Sequence, residues 1–387
     1  MRPSSSTSEP FAFLVAVGAV TERTGQVAWL QAMLDVEAAL AESQAELDLI
    51  PAEAAAQIKV ACRADQFDVD AVFDAASLSG NPAVPLVDAL RAVVGAQAAP
   101  HVHAAATSQD VMDTATMLVA ARCAEHVSGR LTDLASDLER LAADHVATAM
   151  VGRTLLQHAL PTSFGAVASS WTDAVLAGVD ALDCVALRVQ HGGPVGDASS
   201  FGVRAGEVTA GVARRLGLEI PPRPWHAQRT PVTQLAGAWG SVAGAAGGVA
   251  TDIVLLASSD IAELHEVAAG AGGSSSMTHK RNPVAAVSAR AAAAQAPGLV
   301  ATVLHAAGGH ELQRAAGAWH AEWPAMHRCC GARALRSNGW RRASSASSST
   351  LTGWRRTSLP PTSPERHNDH EHRSERGPHR RPEPESG

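Results

Sequence analysis

The sequence predicts an all-α protein, a small N-terminal helical domain followed by an elongated bundle of long helices. Two observations carry that expectation. Hydrophobic residues make up 46% of the 387-residue chain, enough for a large core, yet there are only 8 Trp, 6 Phe and no Tyr, so Ala, Val and Leu on closely packed helices must fill it. Apolar residues also recur at helical spacing over stretches far longer than a strand, between loops that carry Gly or Pro.

Along the chain, residues 26–48 put Val27, Leu30, Met33, Leu34 and Leu40 at helical spacing, and Leu49, Ile50 and Pro51 close that helix. Shorter helices are expected at 52–62 and 65–76, then a loop and a fresh helix start after Asn81-Pro82. Residues 1–105 form the small domain. Longer helices follow at 111–146, 163–189, 232–267 and 283–304, which at 1.5 Å per residue run roughly 30 to 50 Å and make residues 106–326 a central bundle. Long bundles with few bulky residues complete their cores by association, so a homo-oligomer is expected. The run GAWGSVAGAAGG predicts close helix packing and AAGAGG a flexible loop; neither has the βαβ surroundings of a nucleotide cradle.

The net charge of -7 divides unevenly: residues 1–326 carry -13 and residues 327–387 carry +6, the latter with 12 Arg and no Lys. That Arg/Ser/Pro/His-rich tail cannot bury enough apolar surface to offset ordering entropy and predicts disorder. It reads like an out-of-frame translation of GC-rich coding sequence, so neither nucleic acid nor metal is expected as its ligand. Five cysteines, Cys62, Cys123, Cys184, Cys329 and Cys330, include no CxxC pair and no zinc-like spacing, which suits reduced thiols in a cytoplasm. The ten apolar residues 11–20 are too short to span a bilayer, so neither signal peptide nor membrane anchor is expected.

Three polar segments stand out from the helical text. In HVHAAATSQDVMDTA, residues 101–115, His103, Thr107 and Ser108 precede a long helix, where hydroxyls either cap the helix or bind a carboxylate. In GRTLLQHALPTSFG, residues 152–165, Arg153, Gln157 and His158 precede a Pro-marked break; a histidine there is either structural or a general acid or base. In GGSSSMTHKRNP, residues 272–283, glycines and serines run into Lys280 and Asn282 as a mobile polar lid. Lys280 is one of only two lysines, with Lys59, among 31 basic residues, which suits a requirement for a compact ammonium.

GGSSSMTHKRNP resembles the signature loop of the fumarase/aspartase superfamily, GSSxMPxKxNP, and TSQDVMDTA and GRTLLQHALPTSFG match its other two shared segments in order. SGNPAVPLV, LLQHA, PWHAQR (224–229) and RAAGAWHAEW (314–323) resemble its 3-carboxy-cis,cis-muconate cycloisomerase branch. The likeness covers residues 26–326. It implies substrate anchoring by Thr107 and Ser108, acid/base work around His158, a base or oxyanion-shielding role for Ser274, and Lys280 and Asn282 holding the carboxylate next to the protonated carbon. Gln157, Arg229, Arg314 and His103 are the further candidate contacts, His103 and His226 being open to a structural reading. The implied substrate is a small tricarboxylate, with no metal or organic cofactor. The implied assembly is a homotetramer whose sites draw the three segments from different subunits.

The chain departs from the pattern in three places. Leu155 stands where lyase relatives carry a histidine, Thr278 stands where the signature loop has Pro, and HELQR precedes Ala315 where close relatives have something nearer QEHER. The family's C-terminal helical domain is expected to be lost, the tail standing in its place. Two other functions follow: a β-elimination lyase of the adenylosuccinate-lyase kind, or an inactive truncated copy.

Overall fold

The computed structural model describes residues 19–266, 272–277 and 279–330. The expected tail from residue 331 onward and the run AAGAGG up to residue 271 lie outside the described residues in whole or in part.

The first helices are α1 (Ala19–Thr24), α2 (Gln26–Glu46), α3 (Ala52–Ala61), α4 (Val69–Ser79) and α5 (Ala83–Val93). Leu30, Met33 and Leu34 of α2 are fully buried. Asp68 caps α4 by accepting from Ala71 N at 3.0 Å, and Gly80 ends it at φ +76°, a left-handed position that suits glycine. Asn81 Oδ1 then accepts from Ala83 N at 3.1 Å and starts α5.

The bundle consists of α6 (Ser108–Asp144), α7 (Phe164–Asp183), α9 (Thr230–Leu256), α10 (Val284–Ala293), α11 (Ala296–Ala307) and α12 (Ala318–Cys330), with α8 (Ala205–Leu216) packed against α2. At 37 residues α6 is about 55 Å long. Small residues set the helix spacing. A Cβ added to Gly240 would meet Val300 at 3.0 Å, one on Gly247 would meet Ala293 at 2.7 Å, and one on Gly178 would meet the Val242 backbone at 3.5 Å. Within 237–248 it is thus the side carrying Gly240 and Gly247 that packs closely, while Gly237, Gly244 and Gly248 face open space. By length and composition α9 and the 284–307 stretch could cross a membrane; in this fold α9 packs its apolar face on α7, α10 and α11.

The core runs continuously from Leu30 to Cys329, so residue 105 marks a change in helix length, not a gap in packing. Several expectations change. The helix expected at 163–189 stops at Asp183, that at 232–267 stops at Leu256, and that at 283–304 is two helices meeting before Pro297. The helix expected to fade at 326 continues to Cys330. The segment 149–163 is a β-hairpin, β1 (Ala149–Thr154) with β2 (Gln157–Ser163), paired antiparallel from Ala149↔Ser163 to Thr154↔Gln157.

Candidate functional site

The head of α6 gathers the first set of groups. Thr107 has extended backbone (φ -130°, ψ 160°) and caps the helix in a reciprocal box with Asp110, whose Oδ2 accepts from Thr107 N at 3.0 Å. The same carboxylate accepts from Gly193 N at 2.9 Å and, at Oδ1, from Gly192 N at 2.6 Å and His226 Nε2 at 2.8 Å. Four donors from three segments therefore fix Thr107 against the glycine turn. Gly193 sits at φ +68°, and a Cβ there would collide with Ser200 Oγ. Arg314 lies across this corner, Nη2 donating to Thr107 Oγ1 at 3.0 Å and to Pro194 O at 3.1 Å, and remains exposed. Thr107, Ser108 and Arg314 form a partly open corner at a helix N-terminus, where hydroxyls and a guanidinium are groups of the type that can bind an anion.

Arg229 is a different case. It was expected to meet a substrate carboxylate, but its side chain is 1% exposed and both ends are committed. Nη1 and Nη2 donate to the two Asp113 oxygens at 2.7 and 2.9 Å, and Nε donates to Glu322 at 3.0 Å. Trp319 Nε1 also donates to Asp113, and His310 Nε2 lies 3.1 Å from Glu322. Burial drives the Asp113 carboxyl upward, but the Arg229 charge and the donated hydrogen bonds outweigh it and hold the group below the usual carboxylate range. Arg229 thus ties α6 and α9 to α12. His226, held on Asp110, is likewise structural. His103 is committed to Glu37, its Nδ1 2.6 Å from Glu37 Oε1 in a contact that leaves its side chain 14% exposed.

The second set lies at the far end of the bundle. At the α6 head, α9 begins with Arg229 beside Asp113; at its other end Asp252 accepts from Trp171 Nε1 at 2.8 Å. Just beyond, Glu263 takes both Arg153 guanidinium nitrogens at 2.9 and 2.7 Å and anchors the hairpin. Gln157 and His158 are exposed on β2. The hairpin turn is made by Leu155 and Leu156 at φ +52° and +62°, and they are 95% and 70% exposed.

The Gly-Ser loop follows. Its neck is closed by a bridge between Gly273 and Arg281 and by Asn282 N donating to Gly272 O at 2.8 Å. Gly272 is at φ +77°, and a Cβ there would strike the Asn282 carbonyl. Asn282 Nδ2 also faces Gly272 O at 3.3 Å. Ser274 Oγ accepts from Met277 N at 3.2 Å, shaping the turn, and Lys280 is exposed. Thr278 lies outside the described residues. Glu266 fixes the exit from the loop, accepting from Ala285 N at 2.9 Å at the start of α10.

The structure therefore brings Thr107, Ser108 and Arg314 together at one end, and leaves Gln157, His158, Ser274, Lys280 and Asn282 at the other. The hairpin follows the last turn of α6 and Thr107 precedes its first, so roughly 50 Å separates them within one chain. Sequence reasoning missed Asp110, Asp113, Glu37, Glu322 and Glu266. A signal existed for two of them: carboxylates three residues apart on one face of an apolar helix demand buried partners.

The sequence profile of the lyase family matches residues 15–298. The chain is 44% identical over 304 residues to the 3-carboxy-cis,cis-muconate cycloisomerase of Bradyrhizobium diazoefficiens, covering 77% of this chain and 67% of that protein. It is 41% identical over 324 residues to the nitrosuccinate lyase of Streptomyces davaonensis, covering 80% and 68%. The crystal structure of 3-carboxy-cis,cis-muconate lactonizing enzyme from Pseudomonas putida matches with a TM-score of 0.81 at 35% identity, over 87% of this chain and 76% of that one. With its long-helix bundle and three polar segments in order, the chain belongs to this lyase family, the fumarase/aspartase superfamily.

Proposed function

We propose that this chain is an intramolecular lyase that lactonises 3-carboxy-cis,cis-muconate to 4-carboxymuconolactone, in the protocatechuate branch of aromatic degradation. The observation that carries the reading is the Arg314–Thr107 corner, a fixed guanidinium on the hydroxyl at the head of α6, which suits one of several substrate carboxylates. The relatives named for this reaction supply the substrate.

In the reaction one carboxylate oxygen adds across a carbon–carbon double bond activated by a second carboxylate. Electron density moves onto that second group, giving an enediolate-like state, and a proton is delivered to the α-carbon. Stabilising extra charge on an anionic group is the hard step, so fixed donors and cations aimed there contribute most. Lys280 and Asn282 hold that carboxylate, Thr107, Ser108 and Arg314 anchor another, Gln157 contacts the substrate, and His158 handles the proton. Ser274 shields the developing oxyanion, and closure of the Gly-Ser loop excludes water.

This division of labour requires a site built between chains, since its halves lie at opposite ends of one bundle. A homotetramer fits two further features. The exposed stripe Gly237, Ser241, Gly244 and Gly248 runs along α9 with open space at the three glycines, and Leu155, Leu156 and Leu160 stand uncovered on the hairpin. The unpaired, buried Cys62, Cys123 and Cys329 suit a reducing, cytoplasmic setting.

The nitrosuccinate lyase likeness favours a second reading, β-elimination, through the same type of carboxylate-stabilised state. Loss of the ultraviolet absorbance of 3-carboxy-cis,cis-muconate, beside nitrite release from nitrosuccinate, separates them. Turnover of the muconate is expected; nitrite release alone would replace the cycloisomerase reading with the lyase one.

A further inference from the structure

We propose that His103 is a positioning residue: its contact with Glu37 locks the strained turn that sets the Thr107–Ser108 anchor, so that substrate affinity weakens as His103 loses its proton. This rests on the reading that Thr107 and Ser108 anchor a substrate carboxylate.

The turn before α6 has two side-chain-bearing residues in the left-handed region, His103 at φ +61° and Ala105 at φ +64°. Each costs on the order of 1 kcal/mol or more, and such a conformation persists only where its surroundings over-determine it. Three hydrogen bonds from three elements hold its carbonyls: Arg91 Nη2 donates to Val102 O at 3.3 Å, Gln44 Nε2 to Ala104 O at 2.9 Å and Ser200 Oγ to Ala105 O at 2.7 Å. The only one of the turn's side chains able to carry charge within it is His103, and it is spent on Glu37 Oε1 at 2.6 Å.

Glu37 is 1% exposed, and its Oε2 has no hydrogen-bond partner among the described residues. His103 is thus the counter-charge of a buried carboxylate, and a charged partner makes this hydrogen bond roughly twice as strong as a neutral one. The charged groups facing the ring are Glu37 from α2, Asp110 from α6 and Arg91 from α5. Burial pulls the imidazole down, the two carboxylates pull it up, Arg91 opposes them, and the net direction is upward from its ordinary value. A raised value means that the lock is complete below the ordinary histidine range and is lost as pH rises through the folded value.

His103→Gln and Glu37→Gln in the full chain test this. Hydrogen exchange over residues 102–110 reads the lock without substrate, so it stands or falls independently of the cycloisomerase assignment. The wild type is expected to lose protection there as pH rises, Glu37→Gln to move that loss toward lower pH, and His103→Gln to be unprotected throughout. With 3-carboxymuconate, KM should rise about tenfold in His103→Gln, the scale of one charge-assisted hydrogen bond, with kcat nearly unchanged. Exchange that ignores pH in the wild type, or an unaltered KM in a folded His103→Gln, overturns the proposal. If His103→Gln does not fold, the wild-type exchange profile and its displacement in Glu37→Gln decide.

Discussion

Arg229 and Asp113 face each other as a two-point pair, guanidinium Nη1 and Nη2 at 2.7 and 2.9 Å from the two carboxylate oxygens, with Glu322 on the Nε side. One cation balances two carboxylates whose side chains are no more than 3% exposed. Removing it strands both charges, which costs about 3 to 5 kcal/mol in such settings. Arg229→Met is therefore expected to lower urea-unfolding stability by that amount. Arg229→Lys should recover little of it, because an ammonium cannot span both partners. A stable Arg229→Met with a raised KM would instead return Arg229 to the substrate.

Arg314 is the opposite case. It is exposed and, among the described residues, holds only Thr107 Oγ1 and Pro194 O, so Arg314→Ala should leave thermal stability within about 1 kcal/mol and appear in KM for the carboxylate substrate. A loss of fold would show that Arg314 is part of the scaffold.

These two arginines mark how far the sequence could be read. Helical spacing found α2, α6 and α9, and glycine spacing found the close contacts at Gly240 and Gly247, because those signals are local. Whether an arginine meets substrate or a buried carboxylate is decided by residues a hundred positions away, as Asp113 and Glu322 decide for Arg229. The hairpin was missed because its turn lacks the Asn-Gly chemistry that announces one; Leu155 and Leu156 occupy it despite the strain. The candidate site was legible as three motifs, but that their residues divide between opposite ends of one bundle followed only from the length and direction of α6 and α9.

That turn is itself testable. Leu155→Asn with Leu156→Gly places residues that tolerate positive φ at both positions, and should stabilise the isolated chain by about 1 kcal/mol. If the exposed leucines pack on a second copy, the same variant should also weaken self-association in sedimentation velocity. An unchanged oligomer would leave the hairpin without an interface role.

His191 gives a pH signature. Buried against Phe201, with Nδ1 at 2.8 Å from Thr209 Oγ1, it is pushed down to about 4 by desolvation. The unfolded chain binds this proton more readily, so stability is full above the ordinary value near 6.5 and falls as pH drops toward 4, by up to about 3 kcal/mol. His191→Gln should flatten that part of the stability profile in chemical denaturation between pH 7 and 4. Asp113 acts in the same direction at lower pH, its depressed folded value making stability fall as it protonates. An unchanged slope in His191→Gln would remove His191 as its source.

The central claim is that lactonisation occurs at a site assembled from both bundle ends of different chains. Lys280→Ala and His158→Ala should each lower turnover of 3-carboxy-cis,cis-muconate by orders of magnitude without unfolding the protein, and Thr107→Val should do so from the other end. Mixing unfolded Thr107→Val and Lys280→Ala chains and refolding them together then tests the claim directly by absorbance. Recovery of turnover in the mixture, absent from either variant refolded alone, is the predicted result; a mixture as inactive as its components, from folded hetero-oligomers, would contradict it.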